Sequence, residues 1–116
     1  MRAMIFEDDF LLAATLADAL IRLGYEVDTR VSSFDAALEA ATHADADLVV
    51  VDLDLRGVMA YPALDRLEER GIPFVFATCT AVEDLPERFM SVPTVSKPYD
   101  TAELRQAIAA IGRHRR

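Results

Sequence analysis

The sequence predicts an α/β fold: a parallel sheet of five strands with helices on both faces. Three observations predict it. Short apolar bursts alternate with helical patterns from end to end, with no repeat, low-complexity stretch or linker. One burst, Leu48-Val49-Val50-Val51, is a continuous apolar run of the kind buried on both faces of a parallel sheet. The chain of 116 residues is 53% hydrophobic, enough for one domain over residues 1–116 with a real core.

The elements follow in order. Residues 2–6 (RAMIF) read as the first strand. Leu11, Leu12, Leu16, Ala19, Leu20 and Leu23 recur at helical steps as one buried face, and Gly24 supplies the stop. Residues 25–31 alternate loosely and suit a second strand. Ser33 caps a helix whose inner face is Phe34, Ala37, Leu38 and Ala41. After the third strand, 48–51, a helix over about 60–70 ends at Gly71. Residues 73–77 (PFVFA) form the fourth strand. Residues 82–90 predict a short, weak helix interrupted by Pro86, and 93–96 the fifth strand. Residues 101–111 form the fifth and last helix, with Leu104, Ile108 and Ile111 inward.

Composition excludes several classes. Twenty acidic against twelve basic residues give a net charge of −8, which disfavours nucleic-acid binding. No apolar run approaches the ~20 residues of a membrane span, and acids at positions 7–9 leave no room for a signal peptide. The single cysteine, Cys79, makes no internal disulfide, so the expected compartment is the cytoplasm. The basic end, Arg113 to Arg116, reads as a frayed tail or an interaction arm.

In an open parallel sheet, ligands bind at the carboxyl ends of the strands. There the sequence places Glu7, Asp8 and Asp9 after strand one, Asp52 and Asp54 after strand three, Thr78-Cys79-Thr80 after strand four, and Lys97-Pro98 after strand five. Each has an ordinary reading. Acids before helices act as N-caps, as Asp9 suits; Thr is common in strands; a Lys before Pro sits in turns. Lys97 is nonetheless the only lysine in a chain whose other basic residues are all arginine. Glu7, Asp8 and Asp52 brought together form a costly like-charge group unless a cation binds. Their hard oxygens select Mg²⁺, Ca²⁺ or Mn²⁺, and few protein ligands with water suit Mg²⁺. A carboxylate, a hydroxyl and an ammonium around such a cation suit phosphoryl transfer, with Asp52, between the other groups, as acceptor.

The ordered set MIFEDDFLLA, DLVVVDLDL, PFVFAT and TVSKPY resembles the receiver domain of bacterial two-component response regulators, over essentially the whole chain. The resemblance implies a flavodoxin-like sheet of order 2-1-3-4-5 among five helices. It implies Asp52 as phosphoacceptor, and Glu7, Asp8, Asp52 and the backbone carbonyl of Asp54 around Mg²⁺, with Mn²⁺ as a substitute. Thr78, the backbone amide of Cys79, and Lys97 would meet the phosphoryl group, and Pro98 would follow a cis bond. Implied partners are a histidine kinase or histidine phosphotransfer protein and a downstream protein target. The state would be a monomer or a phosphorylation-dependent homodimer.

There are departures from the family pattern. Cys79 stands where the family has Gly or Ala. Thr94 stands where it often has an aromatic switch residue, although Tyr99 lies close by. The stretch from Thr78 to Lys97 is short, so the fourth helix is expected to be reduced or irregular, in the manner of a group of stand-alone receivers. With one domain, output is expected through protein contacts, unless the chain is part of a longer regulator. Two other readings are a receiver-like interaction module that is not phosphorylated and a small Mg²⁺-dependent phosphohydrolase, for which the chain lacks room for a substrate cap.

Overall fold

The computed structural model describes the backbone of residues 1–114 and the side chains of residues 1–111; of the basic tail 113–116, residues 115–116 and all four side chains lie outside what is described. The main sheet is parallel and has five strands: β1 (Arg2–Phe6), β2 (Glu26–Val31), β3 (Leu48–Val51), β6 (Phe74–Thr78) and β7 (Thr94–Ser96). They run in the order β2-β1-β3-β6-β7. Counted within this sheet alone, that is the expected 2-1-3-4-5. The chain numbering differs because a small antiparallel hairpin, β4 (Asp54–Leu55) and β5 (Val58–Met59), intervenes after β3.

The helices are α1 (Phe10–Arg22), α2 (Phe34–His43), α3 (Tyr61–Glu69) and α4 (Thr101–His114). Asp9 caps α1 by accepting the Leu12 amide at 3.0 Å, and Ser33 caps α2 by accepting the Ala36 amide at 3.2 Å. Gly24 follows α1 at φ +99°, the left-handed conformation that ends the helix.

Two cores lie on opposite faces of the sheet. One joins Met4, Phe6, Val49, Val51, Phe74 and Phe76 to α2 and α3. The other joins Ala3, Ile5, Val50, Val75 and Ala77 to α1 and α4. Adjacent residues of β1, β3 and β6 feed opposite faces, so residues 3–6, 48–51 and 74–77 are all apolar and buried. No helix among the described residues is long and apolar enough to cross a membrane.

Two sequence expectations are corrected. Residues 82–90 are not a helix. They form two 3-10 turns, Val82–Asp84 and Glu87–Phe89, so the described residues hold four α-helices rather than five. Pro86 has no amide to donate, and it forces the residue before it to extend; Leu85 sits at φ −77°, ψ 149°. The segment is held instead by its side chains. Leu85 and Phe89 are buried, and Phe89 meets Tyr61, Phe74 and Phe76 at ring-centroid distances of 5.7, 6.3 and 6.1 Å.

The second correction concerns α1. Leu11 and Leu12 are 73% and 38% exposed, and burial begins at Ala13. The first turn of α1 follows the acids at the rim of the sheet, beyond the last residue of β1, where no strand covers it.

Candidate functional site at the strand ends

The strand ladder continues one step past the strands and fixes the site. The Glu7 amide donates to Val31 O at 3.0 Å, the Asp52 amide to Phe6 O at 2.8 Å, and the Lys97 amide to Thr78 O at 3.2 Å. Glu7, Asp52, Thr78 and Lys97 therefore stand side by side on one rim because their strands are in register. Glu7, Asp52 and Thr78 are buried, at 3%, 8% and 1% exposure.

Lys97 ties the acids together. Its Nζ donates to Glu7 Oε1 at 2.5 Å and to Asp52 Oδ2 at 2.9 Å. Thr78 Oγ1 donates to Asp52 Oδ1 at 3.1 Å, and the Asp54 amide donates to the same oxygen at 3.2 Å. Both oxygens of Asp52 are thus engaged. The Asp9 amide binds Glu7 Oε2 at 3.1 Å, and the Arg56 amide binds Asp8 Oδ2 at 3.1 Å.

The electrostatics follow from burial and from one shared cation. Burial pushes the Glu7 carboxyl up to about 7, against the opposing pull of Lys97. Burial alone would lower Lys97; its bonds to Glu7 and Asp52 reverse that and raise it above the usual lysine range. Burial also works against ionised Asp8, but hydrogen bonds with Glu7 and the Arg56 amide outweigh it and hold Asp8 below the usual range.

In front of Asp52 lies an open cavity of about 330 Å³, lined by Asp8, Asp52, Asp54, Thr78, Cys79 and Thr80. Glu7 and Lys97 are not among its lining residues; Lys97 links Glu7 to Asp52. One oxygen each from Glu7, Asp8 and Asp52 lie within 4.8 Å of one another, a spacing that could hold a metal ion. The donors are all carboxylate oxygens, which fits a hard divalent cation such as Mg²⁺ or Mn²⁺ and not zinc. Cys79 is exposed at the cavity mouth.

The remaining candidates lie elsewhere. The Lys97–Pro98 peptide is cis. Thr94 turns its hydroxyl back onto Val92 O at 3.0 Å and is not among the residues lining the cavity. Tyr99 is half-buried against the α1/α4 core and borders a groove with Thr15, Asp18 and Arg22. Its hydroxyl is raised chiefly by burial, with Glu7 and Asp52 adding and Lys97 opposing, so it feels the site's charges.

Sequence reasoning missed the β4–β5 hairpin. Arg56 and Gly57 form its tip, both at positive φ (+55° and +86°). Arg-Gly is not one of the usual signals for such a turn, and two-residue strands are too short to show a period.

The matching family model is that of the response regulator receiver domain, and it spans residues 3–109. The chain belongs to this family. Among curated proteins it is 33% identical to the transcriptional regulatory protein CutR of Streptomyces coelicolor, over 97% of this chain and 54% of that one. It therefore spans about half the length of the curated relatives it matches. Among solved structures it is similar to SdrG of Sphingomonas melonis Fr1, with TM-score 0.84 and 31% identity over 96% of this chain and 95% of that one. It is also similar to the receiver domain of the PhyR response regulator of Erythrobacter litoralis, with TM-score 0.79 and 26% identity over 95% and 88%. As a receiver, this domain is a signalling switch of the two-component type rather than a conventional enzyme.

Proposed function

We propose that the domain accepts a phosphoryl group on Asp52 in a Mg²⁺-dependent reaction and thereby switches its contacts with other proteins. The donor is a phosphohistidine on a histidine kinase or histidine phosphotransfer protein. One observation carries the reading. The Asp52 carboxylate opens onto a cavity with a hydroxyl on one oxygen, an ammonium on the other and Asp8 beside it.

Glu7, Asp8, Asp52 and the backbone carbonyl of Asp54 would hold the cation, which supplies charge neutralisation for the phosphoryl oxygens. An Asp52 oxygen attacks phosphorus, and the P–N bond breaks with its electron pair leaving on the imidazole nitrogen. Lys97 and Thr78 already bind the Asp52 oxygens, so both stand within reach of the arriving phosphoryl group. The amide of Cys79, a residue that lines the same cavity, would meet a phosphoryl oxygen. Phe10 and Leu11, exposed at the rim, offer an apolar surface on which the donor protein docks. Movement of Thr78 toward the phosphoryl group would reach Thr80, whose amide binds Thr78 Oγ1 at 3.2 Å, and so the 3-10 segment beyond it.

Intact-protein mass after incubation with Mg²⁺ and acetyl phosphate tests this reading. A Mg²⁺-dependent phosphoryl adduct on the wild type and none on Asp52→Ala is the expected result. An adduct of equal extent on Asp52→Ala would overturn the assignment.

A further inference from the structure

Asp54 meets the site twice. Its amide binds the Asp52 carboxylate, while its own carboxylate turns away and accepts the Gly57 amide at 2.6 Å. That second bond closes the tip of the β4–β5 hairpin. The hairpin pairs only Asp54 with Met59 and Leu55 with Val58, a ladder too short to sustain itself. Its other ties are the Ala60 amide on Leu53 O at 2.8 Å and the buried side chain of Leu55. At its tip Arg56 sits at φ +55°, a left-handed conformation that residues with a Cβ adopt rarely and at a cost. From that conformation, and held there, the Arg56 amide reaches Asp8 Oδ2 at 3.1 Å. A strained residue persists only where its surroundings over-determine it, and the Asp54–Gly57 bond is the side-chain contact that spans this turn beside the two-residue backbone ladder.

We infer that the Asp54 carboxylate is a positioning residue: by accepting the Gly57 amide it holds Arg56 left-handed, so that the Arg56 amide aims Asp8 at the cation. The inference rests on the reading above that Asp8 helps hold Mg²⁺. It gives the Asp54 side chain a role separate from that of its backbone carbonyl. The carboxylate acts through a hydrogen bond, not through its charge. This is the logic of outer-shell partners that orient a metal ligand.

The test is an NMR titration of the ¹⁵N-labelled protein with MgCl₂, without any phosphoryl donor. Asp54→Ala is expected to bind Mg²⁺ about tenfold more weakly than wild type. Its Arg56 and Gly57 amide resonances should shift even before Mg²⁺ is added. Asp54→Asn keeps an oxygen at the same place and is expected to bind within about twofold of wild type, with those resonances retained. Wild-type affinity in Asp54→Ala would overturn the inference, because the hairpin would then not be aiming Asp8. Equal weakening in Asp54→Asn and Asp54→Ala would also overturn it, because the carboxylate would be acting by charge. Unchanged Mg²⁺ binding by Asp8→Ala would overturn the reading of the metal site, and the positioning role with it. A loss in Asp8→Ala without a loss in Asp54→Ala would remove the positioning role alone.

Discussion

Lys97→Met removes the one ammonium that two buried acids share, and its cost follows from the geometry. With Nζ gone, Asp52 loses a charged partner at 2.9 Å, about 1 kcal/mol net. Ionised Glu7 and Asp52 then face each other with oxygens inside 4.8 Å, a repulsion of about 3 kcal/mol at an effective dielectric near 20. The sum of about 4 kcal/mol matches the usual cost of breaking one side of a buried pair. The repulsive part is avoidable, because Glu7 can keep a proton. Folded Glu7 is already raised to about 7 from the ordinary 4.5. A group raised in the folded state stabilises fully below its unfolded value, and that contribution is lost as pH rises through the folded one. In metal-free wild type the loss ends above about pH 7. In Lys97→Met, Glu7 is raised further, so stability keeps falling by up to ~1.4 kcal/mol per pH unit.

The gap between the two proteins should therefore grow from about 1 kcal/mol near pH 6 to about 4 kcal/mol near pH 9. Urea unfolding followed by circular dichroism, in EDTA and at several pH values, measures it. Added Mg²⁺ should stabilise the variant more than the wild type, since the dication replaces the missing positive charge. A gap that stays constant with pH, or one below about 1 kcal/mol near pH 9, would refute the reasoning that Lys97 compensates Glu7.

Two further outcomes are expected. Phe89→Ala should cost about 3–5 kcal/mol in urea unfolding, because one ring anchors a segment that has no helix of its own, whereas Val82→Ala, 43% exposed, should stay within about 0.5 kcal/mol. A cost below about 1.5 kcal/mol for Phe89→Ala would mean that the segment is held by its backbone. Cys79→Gly should speed phosphorylation by acetyl phosphate about fivefold, the equivalent of ~1 kcal/mol of barrier, by clearing the cavity mouth; initial rates of adduct formation by mass spectrometry measure it, and an unchanged rate would show that the thiol does not restrict access.

The sheet and most of the site were legible in the sequence because the same residues carry both signals. A parallel strand buried on both faces reads as an apolar run, and the first polar residue after the run marks the rim. Glu7 and Asp52 follow such runs directly, Thr78 closes one, and Lys97 follows the short mixed strand Thr94–Ser96. The in-register ladder then brings them together without any need for long-range guesswork. Val82, Leu85 and Phe89 were harder. Their spacing of three and four fits an α-helix, and Leu85 and Phe89 are indeed buried, but a 3-10 path presents nearly the same face and Pro86 decides between them. Leu11 and Leu12 fit the helical period equally well, yet period alone does not say where the sheet beneath a helix ends. The hairpin was hard to see because a left-handed Arg56 fills the first of its two turn positions and its strands are only two residues long.

The choice of lysine at position 97 has a geometric reason. Glu7 and Asp52 each present one oxygen to the same point from different strands. An ammonium with three freely directed donors meets both at once. A planar guanidinium is larger, and its fixed fork is best matched to two oxygens of one carboxylate. In a chain that uses arginine at every other basic position, this explains the single exception. It also leaves three acids around one ammonium, a local deficit of positive charge. A further positive charge, where one completes the site, would come from outside the chain. On the proposed reading it is a divalent cation, and the carboxylate it serves is the one already gripped by Thr78 and Lys97. A phosphoryl group on Asp52 then competes for the contacts that hold the resting rim together. On that reading the modification would rearrange the side-chain bonds that join the strand ends, so a change confined to one carboxylate would reach the ends of β1, β6 and β7 together.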